Sequence, residues 1–163
     1  MPKNNGKTKV EVDISIDYDS CKHLNELSIL TLKFMLGGLM RFKYINPQKE
    51  NQFGISGRKL AVRLHIPLDE ARFLLEDSMK AISEIKLYFK EKDNDTKLIS
   101  VIPAKLIEEY TIDSYIGKTR RKKNNKEYFV ANVTMPVIVN KNIEKVIGLL
   151  FLQLDRIRAE IKS

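Results

Sequence analysis

Residues 56–82 read SGRKLAVRLHIPLDEARFLLEDSMKAI, and the organisation of the chain follows from them. Ser56 suits the N-cap of a short helix carrying Leu60, Ala61 and Leu64, because a serine hydroxyl accepts a backbone N–H that the first helical turn leaves unbonded. Pro67 interrupts this pattern, and a second helix begins at about Asp69 and ends near Ser83 or Glu84. Ala71, Leu74, Leu75, Ser78, Met79 and Ile82 recur on one face of it. Two helices that pack steeply across a short turn need apolar residues from both and a small residue where they cross. Leu60, Ala61, Leu64, Ile66, Ala71 and Leu74 meet that need in order, with Ala61 at the crossing and Ile66 plugging the turn into the core. His65 stands where such turns commonly have glycine. The segment reads as a helix-turn-helix, and an ordinary pair of packed helices is the alternative.

Upstream, Val10, Val12, Ile14, Ile16 and Tyr18 alternate with polar residues, the period of a half-buried strand. From about Leu24 to Tyr44, the apolar set Leu27, Leu30, Met35, Leu39 and Phe42 has helical spacing. Gly37 and Gly38 inside that helix lower its propensity by about 1 kcal/mol each, so a kink or a close crossing is expected there. Asn46 to Gln52 reads as an exposed connection. Downstream, Leu87–Lys92 and Leu98–Pro103 flank the turn residues Asp93, Asn94 and Asp95, which predicts a hairpin. Ile107–Ile116 and Glu127–Met135 predict a second hairpin. Ile143, Ile147, Leu150, Leu154, Ile157 and Ile161 then form the seam of a C-terminal helix over 142–162, with Asn142 as its cap. Val146, Leu149 and Leu152 add a second apolar flank, which leaves room for a homodimer or a partner helix.

The 163 residues, 43% hydrophobic and 31% charged, have the balance of one folded α+β domain over 10–163 behind a flexible tail at 1–9. The tail lacks the apolar stretch of a signal peptide and no later run is long enough to cross a bilayer, so the expected location is cytoplasmic, without membrane contact. With Cys21 as its single cysteine the chain forms no internal disulfide, and the thiol reads as a small apolar residue. His23 and His65 have no cysteine or carboxylate partners at metal-ligand spacing, and no phosphate-cradling glycine loop occurs. The expectation is a protein that is not an enzyme, with no cofactor and no metal.

Charge supplies the positive signal. The net charge is +8, and six of the cations, Lys118, Arg120, Arg121, Lys122, Lys123 and Lys126, fall in one short segment without an acid. That segment lies at the predicted tip of the second hairpin. A long helix, a helix-turn-helix and then hairpins are the order of a winged helix, in which a hairpin tip reaches nucleic acid. The fold expected is a single winged-helix domain with a long C-terminal helix. The basic segment is then a wing whose flexible cations contact phosphates of double-stranded DNA. Arg58, Lys59 and Arg63 on the first helix of the motif are backbone anchors, and Arg72 on the second is the residue placed for a base edge. Asp69, Glu70, Glu76 and Asp77 outnumber Arg72 and Lys80 on the outward side of that helix, which argues against insertion into a groove and equally suits a protein interface. A protein interaction or assembly module is thus the alternative function, and RNA binding by the basic loop is the third.

One further pattern spans about residues 24 to 140. His65-Ile66-Pro67-Leu68-Asp69-Glu70-Ala71-Arg72 leads through Met79 and Ile82 into Ile85-Lys86-Leu87-Tyr88-Phe89, then Leu98-Ile99-Ser100-Val101-Ile102-Pro103. Together with Leu27–Tyr44 and Val133–Pro136, it resembles the winged-helix domain of plasmid replication initiator proteins. The resemblance implies binding to origin repeats or to the promoter of its own gene, and dimerisation through a winged-helix face. Such initiators usually have two winged-helix domains, and the length here accommodates one, which leaves a regulator, a minimal plasmid or phage protein, or an isolated domain.

Overall fold

The computed structural model of the chain describes residues 10–45, 52–118 and 125–162. Residues 1–9, 46–51, 119–124 and 163 lie outside the described residues, and with them the expected flexible tail and all but Gln52 of the connection expected over Asn46 to Gln52. In chain order the elements are β1 (Val10–Ile16), a 3-10 turn (Tyr18–Cys21), α1 (Glu26–Ile45), β2 (Gln52–Ser56), α2 (Gly57–Leu64), α3 (Leu68–Ile82) and β3 (Lys86–Asp93). They continue with β4 (Ile99–Lys105), β5 (Glu109–Lys118), β6 (Asn125–Thr134), α4 (Val137–Lys141) and α5 (Ile143–Lys162). The strands make two antiparallel three-stranded sheets, one in the order β1-β3-β4 and one in the order β2-β6-β5. The α+β class expected from the sequence is the class observed.

The period-two pattern of β1 has its expected consequence. Val12, Ile14 and Ile16 pack against the core while Glu11, Asp13 and Ser15 stay exposed. Glu11 lies opposite Lys92 and Asp13 opposite Lys90, so opposite charges pair across the outer face. The strand stops at Ile16, however, and Tyr18 opens the 3-10 turn, 44% exposed, because Asp17 caps that turn by accepting from the Asp19 N–H. Cys21 is buried at 3% exposure, as a small apolar residue would be, and burial pushes its thiol pKa up.

The first long helix turns a different face inward from the one expected. Of the expected set Met35 is buried, but Leu27 is 50% exposed and Leu30 half-buried, and Ile29, Leu32 and Leu36 are buried with Met35 instead; the side chains of Leu39 and Phe42 lie outside the described residues. Two polar side chains go inward with them, because each is satisfied within its own turn. Asn25 and Ser28 cap one another reciprocally, at 2.7 and 2.8 Å, and Thr31 Oγ1 donates to the Leu27 carbonyl at 2.9 Å. Ser78 Oγ on α3 completes the link by donating to Thr31 Oγ1 at 3.4 Å. The crossing expected at Gly37 and Gly38 is not found: a Cβ at either would meet nothing within 4 Å among the described residues.

The two helices expected over residues 56–82 are present as α2 and α3, the second running from Leu68 to Ile82. Ser56 Oγ accepts from the Lys59 N–H, and Leu60, Ala61, Ala71, Leu75, Ser78, Met79 and Ile82 are buried. Leu74 and Ile66 are half-buried. His65 occupies the left-handed C-cap, φ 56 and ψ 45, where the Ile66 N–H reaches back to the Ala61 carbonyl at 3.0 Å. A side chain there costs about 1–2 kcal/mol, against a smaller entropic penalty of about 0.5–1 kcal/mol for glycine. His65→Gly is therefore expected to raise Tm by about 1–4 °C, read by circular dichroism; an unchanged or lower Tm would show that the imidazole stabilises the turn.

The C-terminal region departs from expectation in detail. Pro136 starts a separate five-residue helix, α4, and Asn142 belongs to its end: the Asn142 amide donates to the Ile138 carbonyl at 2.9 Å. Only the backbone carbonyl of Asn142 opens α5, accepting from Val146. The seam of Ile143, Ile147, Leu150, Leu154 and Ile157 is buried as expected, while Ile161 is 46% exposed. Val146 belongs to the core, fully buried, and not to an outer flank; of that flank Leu149 is half-buried and Leu152 exposed.

The C-terminal half of α5 is tied to the start of the chain by polar contacts. Arg158 and Lys162 reach Glu26 at 2.9 and 3.4 Å, Lys33 pairs with Asp155, and Tyr18 donates to Glu160. The Arg158 and Lys162 cations hold the Glu26 carboxyl below its ordinary pKa. A carboxylate with a depressed folded-state pKa stabilises above the unfolded value, about 4.3, and loses that contribution as pH falls through the folded value. Thermal melts from pH 7 to 3 should show Glu26→Gln less stable at neutral pH, with the difference from wild type closing in acid. A difference independent of pH would assign Glu26 a packing role instead.

Among the described residues no helix is long and apolar enough to cross a membrane.

Candidate nucleic-acid interface

The β5–β6 hairpin is paired in register from Glu109 opposite Thr134 to Lys118 opposite Asn125. Its inward residues are buried only part of the way. Val133, Ala131 and Phe129 sit in the core, but at the next inward pair Ile116 is 70% exposed and Glu127 is exposed. The ladder then runs on to Lys118, two residues past Ile116 and roughly 7 Å farther along the strand. The two strands thus extend beyond the last core contact and deliver Lys118 and Lys126 to their ends. Arg120, Arg121, Lys122 and Lys123 lie outside the described residues, and the side chains of Lys118 and Lys126 are likewise not described.

Two helices brace the hairpin where it leaves the body. The Arg58 guanidinium, at the start of α2, lies over the Tyr128 ring at 5.7 Å. The Arg72 guanidinium, on α3, donates to Glu127 at 2.9 Å and lies 3.5 Å from Glu76 one turn along its own helix. Adjacent β6 residues therefore receive one arginine from α2 and one from α3. Gly57, buried beside Arg58, abuts the Phe129 ring. Lys59 and Arg63 are exposed on α2, one turn apart.

Of the sequence-predicted residues, Arg58, Arg72, Lys118 and Lys126 come together at the hairpin, Arg58 and Arg72 through their side chains and the lysines through the strand register. Arg72 is not presented as an unencumbered base reader, since two carboxylates hold it. Outward on α3, Asp69, Glu70, Glu76 and Asp77 are all exposed. Glu127 and Tyr128 are participants that the sequence reading did not single out. The one available signal was that Glu127 is the first acid after the cationic run.

His23 lies 3.4 Å from Glu84, and His65 is the left-handed turn residue already described. Among the described residues no group of three or more His, Cys, Asp or Glu side chains is arranged to hold a metal ion. Comparison with models of known families finds no match, and neither a curated protein nor a solved structure matches the chain.

Proposed function

We propose that the chain is a winged-helix DNA-binding protein of the replication-initiator kind, gripping double-stranded DNA with the β5–β6 hairpin as its wing. Lys118, Arg120, Arg121, Lys122, Lys123 and Lys126 are the phosphate contacts, and Arg58, Lys59 and Arg63 extend the cationic surface along α2. The order of the second sheet supports the fold reading: β2, from between α1 and α2, pairs with the last strand, and β5 lies on its far side. The β1-β3-β4 sheet is an addition to that plan. The single observation that carries the function is a ten-pair hairpin that outruns its core and leads into six cations and no acid.

Phosphate neutralisation by a strand-supported loop gives affinity and position without reading sequence. The acids of α3 oppose entry of that helix into a groove, so α3 is assigned to support and not to recognition. Fluorescence anisotropy of a labelled duplex across a salt series tests the reading, with matched RNA in parallel. Binding that is indifferent to salt would reject it, and tighter binding to RNA would move the assignment to RNA.

Glu127 competes with phosphate for Arg72 in this arrangement. An exposed pair of this kind is worth about 0–1 kcal/mol, so Glu127→Gln is expected to tighten duplex binding by up to about fivefold and to steepen the salt slope by about 1. Weaker binding in that variant would instead mean that the ion pair sets the orientation of the wing.

A further inference from the structure

The two flanks of α3 face different parts of the molecule. Arg72 points to the hairpin, while Leu74, Ser78 and Ala81 line a groove whose other wall is the start of α1, with His23, Asn25 and Leu27. The groove encloses about 290 Å³, and Leu27, Leu74 and Ile66 make its surface largely apolar. Leu27 is 50% exposed there, although it belongs to a helix with an ample buried face. The charged residues from α3 along the groove are Glu70 and Asp77, and Glu84 lies beyond it, against His23.

Phe73 is 66% exposed and lies one helical turn from two of the groove residues, Glu70 and Asp77. Its helical neighbours three and four residues away on either side are Asp69, Glu70, Glu76 and Asp77, all acidic and all exposed. An aromatic ring and an apolar channel edged by carboxylates are unexpected on a chain with net charge +8. The proposed DNA surface does not use them, and their charge repels a polyanion.

We propose that the groove between α1 and α3 docks a basic amphipathic helix of a partner protein. Apolar side chains of that helix enter against Leu27, Leu74 and Ile66, Phe73 packs over them, and its lysines or arginines meet Glu70 and Asp77. Such a helix supplies both features of the site, an apolar stripe and flanking cations, from one element with residues spaced three and four apart. The inference does not depend on DNA binding, because it uses the opposite flank of α3.

The test uses the full chain and a fluorescein-labelled 18-residue helical peptide of leucine and lysine, with a leucine–glutamate peptide of the same pattern as control. Anisotropy should show binding of the lysine peptide and at least tenfold weaker binding of the glutamate peptide. Phe73→Ser and the pair Glu70→Lys with Asp77→Lys alter exposed side chains, and circular dichroism melts verify that each variant remains folded. Each should weaken lysine-peptide binding at least tenfold while leaving the hairpin cations intact. Equal binding of the two peptides, or unchanged binding by folded variants, overturns the proposal. Sedimentation velocity without peptide makes the remaining distinction: a dimer that Phe73→Ser dissociates would make a second copy the occupant and also overturn it. Loss of salt-dependent duplex binding on neutralising the hairpin cations tests the DNA reading separately.

Discussion

Replacing Lys118, Arg120, Arg121, Lys122, Lys123 and Lys126 with glutamine is expected to remove most of the duplex affinity and flatten its salt dependence. Each cation that neutralises a DNA phosphate releases counterion and contributes about −0.9 to the slope of log affinity against log salt, so six give a slope of up to about −5. That contribution alone lowers wild-type affinity by roughly a thousandfold for a fourfold rise in salt, from 50 to 200 mM. The substituted protein should lose at least about a hundredfold at 100 mM salt, with the residual slope reflecting Arg58, Lys59 and Arg63. Its thermal stability should be nearly unchanged, because the substitutions lie at or beyond the ends of β5 and β6, past the buried Phe129. Unchanged affinity would eliminate the wing assignment. Lost affinity with an unfolded circular dichroism spectrum would reject the premise that the hairpin tip is separate from the core.

Gly57→Ala is expected to be the most damaging small substitution in the α2–α3 pair. Helix propensity by itself favours alanine by about 1 kcal/mol. Geometry reverses the sign, since a Cβ on Gly57 would come within 1.9 Å of Phe129 Cε2 and 2.4 Å of Cζ. Phe129 is 3% exposed, and a ring enclosed by core atoms cannot turn away without displacing β6 or α2. An overpacking cost of about 3 kcal/mol lowers Tm by roughly 6–12 °C in a chain of this size. Phe129→Leu in the same background should recover part of the loss, and a double-mutant cycle should give a coupling of at least about 1 kcal/mol. Additive effects, or a Gly57→Ala protein that melts with wild type, would mean that the ring does not press on the start of α2. Because Phe129 is the last inward residue before the hairpin leaves the body, the same substitution should also weaken duplex binding.

Much of the fold can be read from local patterns. Ser56, Pro67 and the apolar spacing of Leu60 through Ile82 set the two helices of the motif, and the turn residues Asp93 to Asp95 and the cationic run marked both hairpins. The face of α1 could not be read in the same way. Residues 27–40 are apolar on nearly every side, so Leu27 and Leu30 were as eligible for the core as Ile29 and Leu32. Polarity misled further, because Ser28 and Thr31 bond within their own turn and can face inward at little cost. The short strand β2 was missed for another reason. Its five residues, with Gly54 at the centre, have too few alternations to register, and its stability comes from pairing with β6.

The candidate interface divides along the same line. The location of the cations, the acids of α3 and the two strands that flank the cationic run were legible, because charge and strand period are properties of neighbouring residues. That Glu127 holds Arg72, that Tyr128 lies under Arg58, and that Gly57 must lack a side chain are contacts between residues far apart in the chain. What the sequence determined by itself was the run of helices and strands and the site of the positive charge, since backbone geometry imposes periods of 3.6 and 2 on adjacent residues. Only the tertiary structure decided which faces meet and which arginines are already paired, because those contacts depend on how α2, α3 and β6 close on one core and not on any local spacing.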